Sequence, residues 1–202
     1  YGANRHDLFP IINEILRNWP SSNTNSVCCV IPDAPLCLDG RSSRAWFPLN
    51  FMQLLSTPPQ QLAEMKLPGL DDASDKILEI IEVLRNRSFD KIILAGFSQG
   101  AIISAHSVFR MKDPSIISAL ALFSCAVQAK EQWKTAAEGL SGVKVLLSHG
   151  RSDPVIPFAM GEMMNSILQG AAGVTTEFIT FEGGHTIPPE ALGKFKALLQ
   201  LQ

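Results

Sequence analysis

Residues 90–110, DKIILAGFSQGAIISAHSVFR, change character within two positions. Ile92 to Phe97 form an unbroken apolar run, the pattern of a strand buried on both faces. An amphipathic helical run opens directly at Ser98. A helix that springs straight from a buried strand is half of a βαβ unit. Where strands and helices alternate in this way along a chain, they imply a mainly parallel sheet covered by helices on both faces.

The rest of the sequence follows the same alternation. ISALALFS (117–124) and VKVLLSHG (143–150) read as buried strands, and VTTEFITFE (174–182) as an alternating one. NSVCCVI (25–31) reads as a further buried strand, stopped by PDAP. DDASDKILEIIEVLRNRS places Ile77, Ile80, Ile81 and Leu84 at helical spacing, with Asp71 or Asp72 as its cap. KEQWKTAAEGL and PFAMGEMMNSILQGA are two more helices, the second ending near Gly170. PPEALGKFKALLQL is the last, entered through Pro188 and Pro189. YGANRHDLF reads as a loop. Residues 49–70, with Pro48, Pro58, Pro59 and Pro68 in or beside them, read as one long irregular segment. Loops of that length in a small domain are often functional. The 202 residues suit a single α/β domain.

Charge and cysteine content exclude some classes. Seventeen Lys and Arg oppose 19 Asp and Glu, for a net charge of −2, and no basic run appears. Nothing there would neutralise a row of phosphates, so nucleic acid is set aside as a partner. No stretch of 18 or more apolar residues suggests a membrane span, and no signal-peptide pattern is visible. Cys28, Cys29, Cys37 and Cys125 form no CxxC pair and read as reduced, structural residues of a reducing, cytoplasmic compartment.

Gly96-Phe97-Ser98-Gln99-Gly100 has the form G-x-S-x-G, in the strand–turn–helix context that motif requires. Strand and helix nearly collide at such a turn, so Gly96 and Gly100 are read as sterically required. The turn lifts a serine hydroxyl to the top of the sheet and aims the Gln99 N–H at an oxyanion. An ordinary serine-capped turn is the alternative. A nucleophile needs a base, and the base an orienting acid. His106 lies eight residues into the helix and reads as packed or surface; His6 sits in the loop-like start. His149 ends a strand and reads as a support for the following loop. His185, in FEGGHTIPP, follows two glycines that let the chain turn inward, and is the candidate base. Asp153, in SHGRSDPVIP, follows an earlier strand and is the candidate acid; Glu182 lies too close to His185, and Asp33 reads as a turn residue. The order Ser98, Asp153, His185 is that of the α/β-hydrolases.

With YGANRHDLFPI, PDAP, RAWF, GFSQGA, SHGRSDPVIP and GGHTIPPE in that order, the chain resembles the carboxylesterase/phospholipase family that includes the acyl-protein thioesterases. The likeness runs from the first residues nearly to the last. It implies a minimal α/β-hydrolase fold over residues 1–202, with the family's first strand and its His-Gly upstream of Tyr1. It implies hydrolysis of carboxylic esters or thioesters through an acyl-serine, without metal or cofactor. Ser98, Asp153 and His185 match the family's triad, and Gln99 and Tyr1 the oxyanion donors. Pro48 stands where the family usually has Asp.

Several substrates share this machinery: small esters, lysophospholipids and acyl-proteins. The apolar side chains of segment 49–70 (Phe51, Met52, Leu54, Leu55, Met65, Leu67) suggest a lid or acyl groove, with packing as the alternative. Trp46, Leu54, Val155 and Ile156 are the candidate substrate-binding residues. Arg41 and Arg44 read as a solvated face rather than an anion site. A homodimer closing over the apolar loop stays open. The competing reading from another class is a hydrolase-fold binding protein without turnover.

Overall fold

The computed structural model describes residues 1–17, 19, 27–40 and 42–200. Among the described residues four parallel strands form the central sheet, in the order β3 (Ile92–Phe97), β4 (Ile117–Phe123), β5 (Lys144–Gly150) and β6 (Thr175–Phe181). Their registers run Gly96 beside Leu122, Leu122 beside Leu147, and Leu147 beside Phe178. Two short antiparallel strands, β1 (Leu36–Cys37) and β2 (Arg44–Ala45), lie apart from it.

Strand residues alternate between two faces, and each face is covered. Leu120, Leu122, Val145 and Leu147 join the larger core with α4 (Leu70–Asn86), α5 (Gln99–Arg110), α6 (Lys130–Ala137) and α7 (Phe158–Gly170). Ala121, Phe123, Leu146 and Ile179 join a smaller core with Ile15 of α1 (Arg5–Leu16) and Ala191 and Phe195 of α8 (Pro189–Gln200). Helices on both faces of a parallel sheet are the arrangement that the alternation predicts.

Four local expectations need correction. First, YGANRHDLF is not a loop. Asn4 accepts the N–H of His6, Asp7 accepts the N–H of Asn4, and this capping box starts α1, which carries His6. Second, residues 27–31 form no strand. Val27, Cys28, Cys29 and Val30 are exposed, and the segment makes no ladder bonds among the described residues. β-forming side chains build a strand only against a partner edge, and this run has none among the described residues. The exposure of Cys28 and Cys29 removes the reading of them as residues of a buried strand; Cys37 is also exposed, and Cys125 is buried. Third, α4 is capped by Gly69 in the left-handed region (φ 75°), with Asp71 and Asp72 inside the first turn. Fourth, segment 49–70 is not irregular. It forms α2 (Phe51–Ser56), capped by Asn50, and α3 (Pro59–Glu64), entered through Pro58 and Pro59. Asn25, Ser26 and Arg41 lie outside the described residues.

Candidate active site

Ser98 joins β3 to α5 with φ 55° and ψ −119°, a backbone conformation that costs a non-glycine residue strain. The turn is held from several sides. The Ser98 N–H donates to Phe123 O at 2.9 Å, and the Ser98 carbonyl accepts the N–H groups of Ala101 and Ile102. A Cβ at Gly96 would run into the Gly100 carbonyl, so position 96 admits only glycine. A Cβ at Gly100 would meet nothing within 4 Å, and the expected demand there is not observed. Among the described residues no protein acceptor takes the N–H of Gln99 or Gly100. The helix N-terminus therefore presents free donors beside the Ser98 hydroxyl.

Asp153 and His185 come from the loops after β5 and β6. The His185 Nδ1–H donates to Asp153 Oδ2 at 2.7 Å. Asp153 Oδ1 accepts the N–H groups of Val155 (2.8 Å) and Ile156 (2.9 Å). Burial pushes the Asp153 carboxyl up. The hydrogen bonds from His185, Ile156 and Val155 outweigh that, and the group titrates below its ordinary value. An ionised acceptor on Nδ1 leaves the Nε2 lone pair of a neutral His185 free to take a proton. The imidazole packs on the ring of Phe97, next to Ser98, with centroids 4.7 Å apart. Among the described residues no hydrogen bond joins Ser98 Oγ to His185; such bonds commonly tighten only with substrate in place.

The two loops are closed onto each other by contacts that the sequence reading missed. Arg151 N–H donates to Phe181 O at 2.9 Å, and Ser152 N–H to Gly183 O at 3.0 Å. A side chain at Gly150 would collide with the carbonyls of Gly183 and Gly184. His149 supports the acid loop, as its place at the strand end suggested. It is buried, and its Nε2–H donates to Ile156 O at 2.9 Å, with Asp153 Oδ2 at 3.5 Å. Burial holds His149 below the ordinary histidine value. Gly161 of α7 makes room for it: a Cβ there would sit 2.6 Å from His149 Nδ1. A glycine closing a buried strand, and a glycine inside a helix, are the visible signals of these approaches. His106 lies away from this group. It is buried, bonded to Asp71 Oδ1 at 2.8 Å, and receives the Trp133 indole N–H at 3.2 Å.

Pro48, Leu49, Leu54, Leu62, Met65 and Leu67 line an apolar groove of about 230 Å³ between α2, α3 and the segment that precedes α4. Of the four residues read as substrate-binding, Leu54 lines it. Trp46 and Val155 are half-buried against the core and Ile156 is fully buried. Met52 and Leu55 are exposed. Tyr1 is exposed, and the residues after it pair with β2: Gly2 N–H donates to Arg44 O at 2.8 Å, and Arg44 N–H to Ala3 O at 3.2 Å.

The profile of the phospholipase/carboxylesterase family matches residues 1–202. The chain belongs to that family. An acyl-protein thioesterase 1 homolog from Dictyostelium discoideum is 26% identical over 189 residues, covering 89% of this chain and 78% of that protein. Acyl-protein thioesterase 1 of Debaryomyces hansenii is 27% identical over 180 residues, covering 84% and 74%. Among solved structures, esterase PE8 superposes with a TM-score of 0.77 at 25% identity, covering all of this chain and 88% of that one. The fold is also that of Arabidopsis thaliana SOBER1, at a TM-score of 0.75 and 22% identity over 99% of this chain and 93% of that one. Membership of this family makes the chain a hydrolase of carboxylic esters with an α/β-hydrolase fold. Among the described residues no helix is long and apolar enough to cross a membrane.

Proposed function

We propose that this family member cleaves acyl esters and thioesters through a covalent acyl-Ser98 intermediate. The observation that carries the reading is the Asp153–His185 hydrogen bond set against Phe97, immediately before the strained Ser98 turn. In this mechanism His185 Nε2 accepts the Ser98 proton as Oγ attacks the acyl carbonyl. The free N–H of Gln99, with the backbone N–H of Tyr1 as the resemblance implies, holds the developing oxyanion. His185 then protonates the leaving alcohol or thiol. Water, deprotonated by His185, attacks the acyl-serine and releases the acid, and the proton returns to Ser98. Asp153 keeps the imidazole in the productive tautomer and stabilises its cation. No step calls for a metal or cofactor.

Residues 1–202 act as one domain in this reading, and segment 49–70 supplies the acyl site. The apolar lining around Leu54 supports a hydrocarbon chain as ligand. The relatives named as acyl-protein thioesterases support thioesters among the substrates. The test is hydrolysis of nitrophenyl esters and acyl thioesters of graded chain length, together with labelling by a fluorophosphonate. Wild-type protein hydrolyses both classes and is labelled at Ser98; Ser98→Ala does neither. Unaltered turnover in Ser98→Ala rejects the nucleophile. No turnover of any ester by wild type favours a binding protein without catalysis.

A further inference from the structure

The Gln99 side chain does something that its backbone N–H does not explain. It is 1% exposed, at the first position of α5, where a long polar side chain would ordinarily reach water. Both ends of its carboxamide are used. Oε1 accepts the Trp46 N–H at 2.8 Å, and Nε2 donates to Phe47 O at 2.7 Å. Trp46 directly follows β2. Arg44 of β2 in turn holds the chain start, through Gly2 N–H to Arg44 O and Arg44 N–H to Ala3 O. A path therefore runs from the Gln99 side chain by hydrogen bond to Trp46, along the backbone through Ala45 to Arg44, and by hydrogen bonds to the residues that follow Tyr1.

We infer that the Gln99 carboxamide is a positioning group that sets the separation between the two oxyanion donors. This rests on the proposed mechanism, in which those donors are the backbone amides of Gln99 and Tyr1. One residue supplies a donor by its main chain and, by its side chain, anchors the segment after β2, the strand against which the residues following the other donor are held. The chemistry requires both donors to be prearranged around a charge that exists only in the transition state. Misplacement by about 1 Å at such a site costs on the order of 10²-fold in rate. Glutamine suits the task because it spans a neighbouring N–H and C=O at once. Met has similar length but neither polar atom, and Asn is one methylene short. Phe47 and Pro48 extend the same anchorage: a Cβ at Gly69 would stand 3.5 Å from Phe47 Cβ and 3.3 Å from Pro48 Cδ, so these two side chains pack closely on the cap of α4.

Gln99→Met tests the idea cleanly, because it leaves the Gln99 N–H in place and removes only the carboxamide. Active sites are counted by fluorophosphonate titration, so that rates refer to folded enzyme. For a nitrophenyl acetate substrate, kcat is expected to fall roughly 10- to 100-fold with KM nearly unchanged. The affinity for a trifluoromethyl ketone, which forms the tetrahedral oxyanion, is expected to fall in parallel. Amide exchange at Trp46 and Arg44 is expected to quicken in the same variant. Gln99→Asn serves where Gln99→Met folds poorly, with the same direction of change. A kcat within twofold of wild type, with only the melting temperature lowered, makes the side chain structural and overturns the inference. Loss of activity with Arg44 exchange unchanged also overturns it, since the contact to the chain start is then intact and the loss does not run through it. If wild type carries no fluorophosphonate-reactive serine, the mechanism fails, and exchange at Trp46 and Arg44 alone decides whether the bridge exists.

Discussion

Replacing Asp153 by Asn changes one atom and should almost silence the enzyme, for a reason visible in its partners. Asp153 Oδ1 accepts two backbone N–H groups, from Val155 and Ile156, and Oδ2 accepts the His185 Nδ1–H. Asn offers a single oxygen. If that oxygen stays with the two backbone donors, the NH2 group faces His185, whose Nδ1 must then accept. The imidazole proton moves to Nε2, and no base remains for Ser98. The opposite rotamer keeps the productive tautomer but turns the NH2 group onto two N–H groups. Each donor stranded in this way costs about 1–3 kcal/mol, so the unproductive arrangement is favoured by roughly 2–6 kcal/mol. That depletes the productive tautomer by about 30-fold to 10⁴-fold, and the ionic support of the imidazolium is lost as well. The matching substitution in a protease triad costs about 10⁴ in kcat. We expect a fall of roughly 10³–10⁴-fold for Asp153→Asn, with the circular dichroism spectrum unchanged. The assay is steady-state hydrolysis of a nitrophenyl acetate substrate at pH 7. A folded Asn variant within tenfold of wild type would refute the assignment of Asp153 as the orienting acid.

Three other outcomes follow. Leu54→Asp places a charge in the apolar groove and should raise KM for a long acyl ester by tenfold or more while barely altering an acetyl ester; equal losses on both would remove the groove as the acyl site. Gly150→Ala forces apart the loops after β5 and β6, at a cost of about 1–3 kcal/mol, and calorimetry should show the melting temperature lower by roughly 2–12 °C. Stability should also depend on pH in a stated direction. Burial holds folded His106 and His149 below the ordinary histidine value, so between the two values the unfolded chain binds more protons. Stability is then complete above about pH 6.5 and declines as pH falls through that region. Asp153, also lowered on folding, adds a loss below about pH 4 as its carboxyl protonates. A melting temperature constant from pH 7.5 to 5.5 would contradict the histidine part.

The sheet and its helices were legible because each strand of β3 to β6 carries its own apolar pattern and each following helix its own period. The candidate site was legible where chemistry is tied to local geometry: the Ser98 turn, the glycines before His185, and the loop of Asp153. Other features depend on partners distant in the chain. Residues 27–31 have the composition of a strand, but composition supplies no neighbour to pair with. The Asn4–Asp7 capping box was present in the local pattern and marks the helix that the reading of YGANRHDLF as a loop left out. Gly69 took the cap from Asp71 and Asp72 because a left-handed turn there packs beneath Phe47 and Pro48. Gly150 and Gly161 look like ordinary small residues until the carbonyls of Gly183 and Gly184 and the ring of His149 are set beside them. The Gln99 carboxamide is the same case: 53 positions separate it from Trp46, and no local rule links them.

Where the backbones after β5 and β6 touch at Gly150, Gly183 and Gly184, neither loop has slack of its own. An insertion in one would swing its functional side chain out of register with the other. In a chimera with a related hydrolase, the natural unit of exchange is therefore the pair of loops with their abutting glycines, transplanted together.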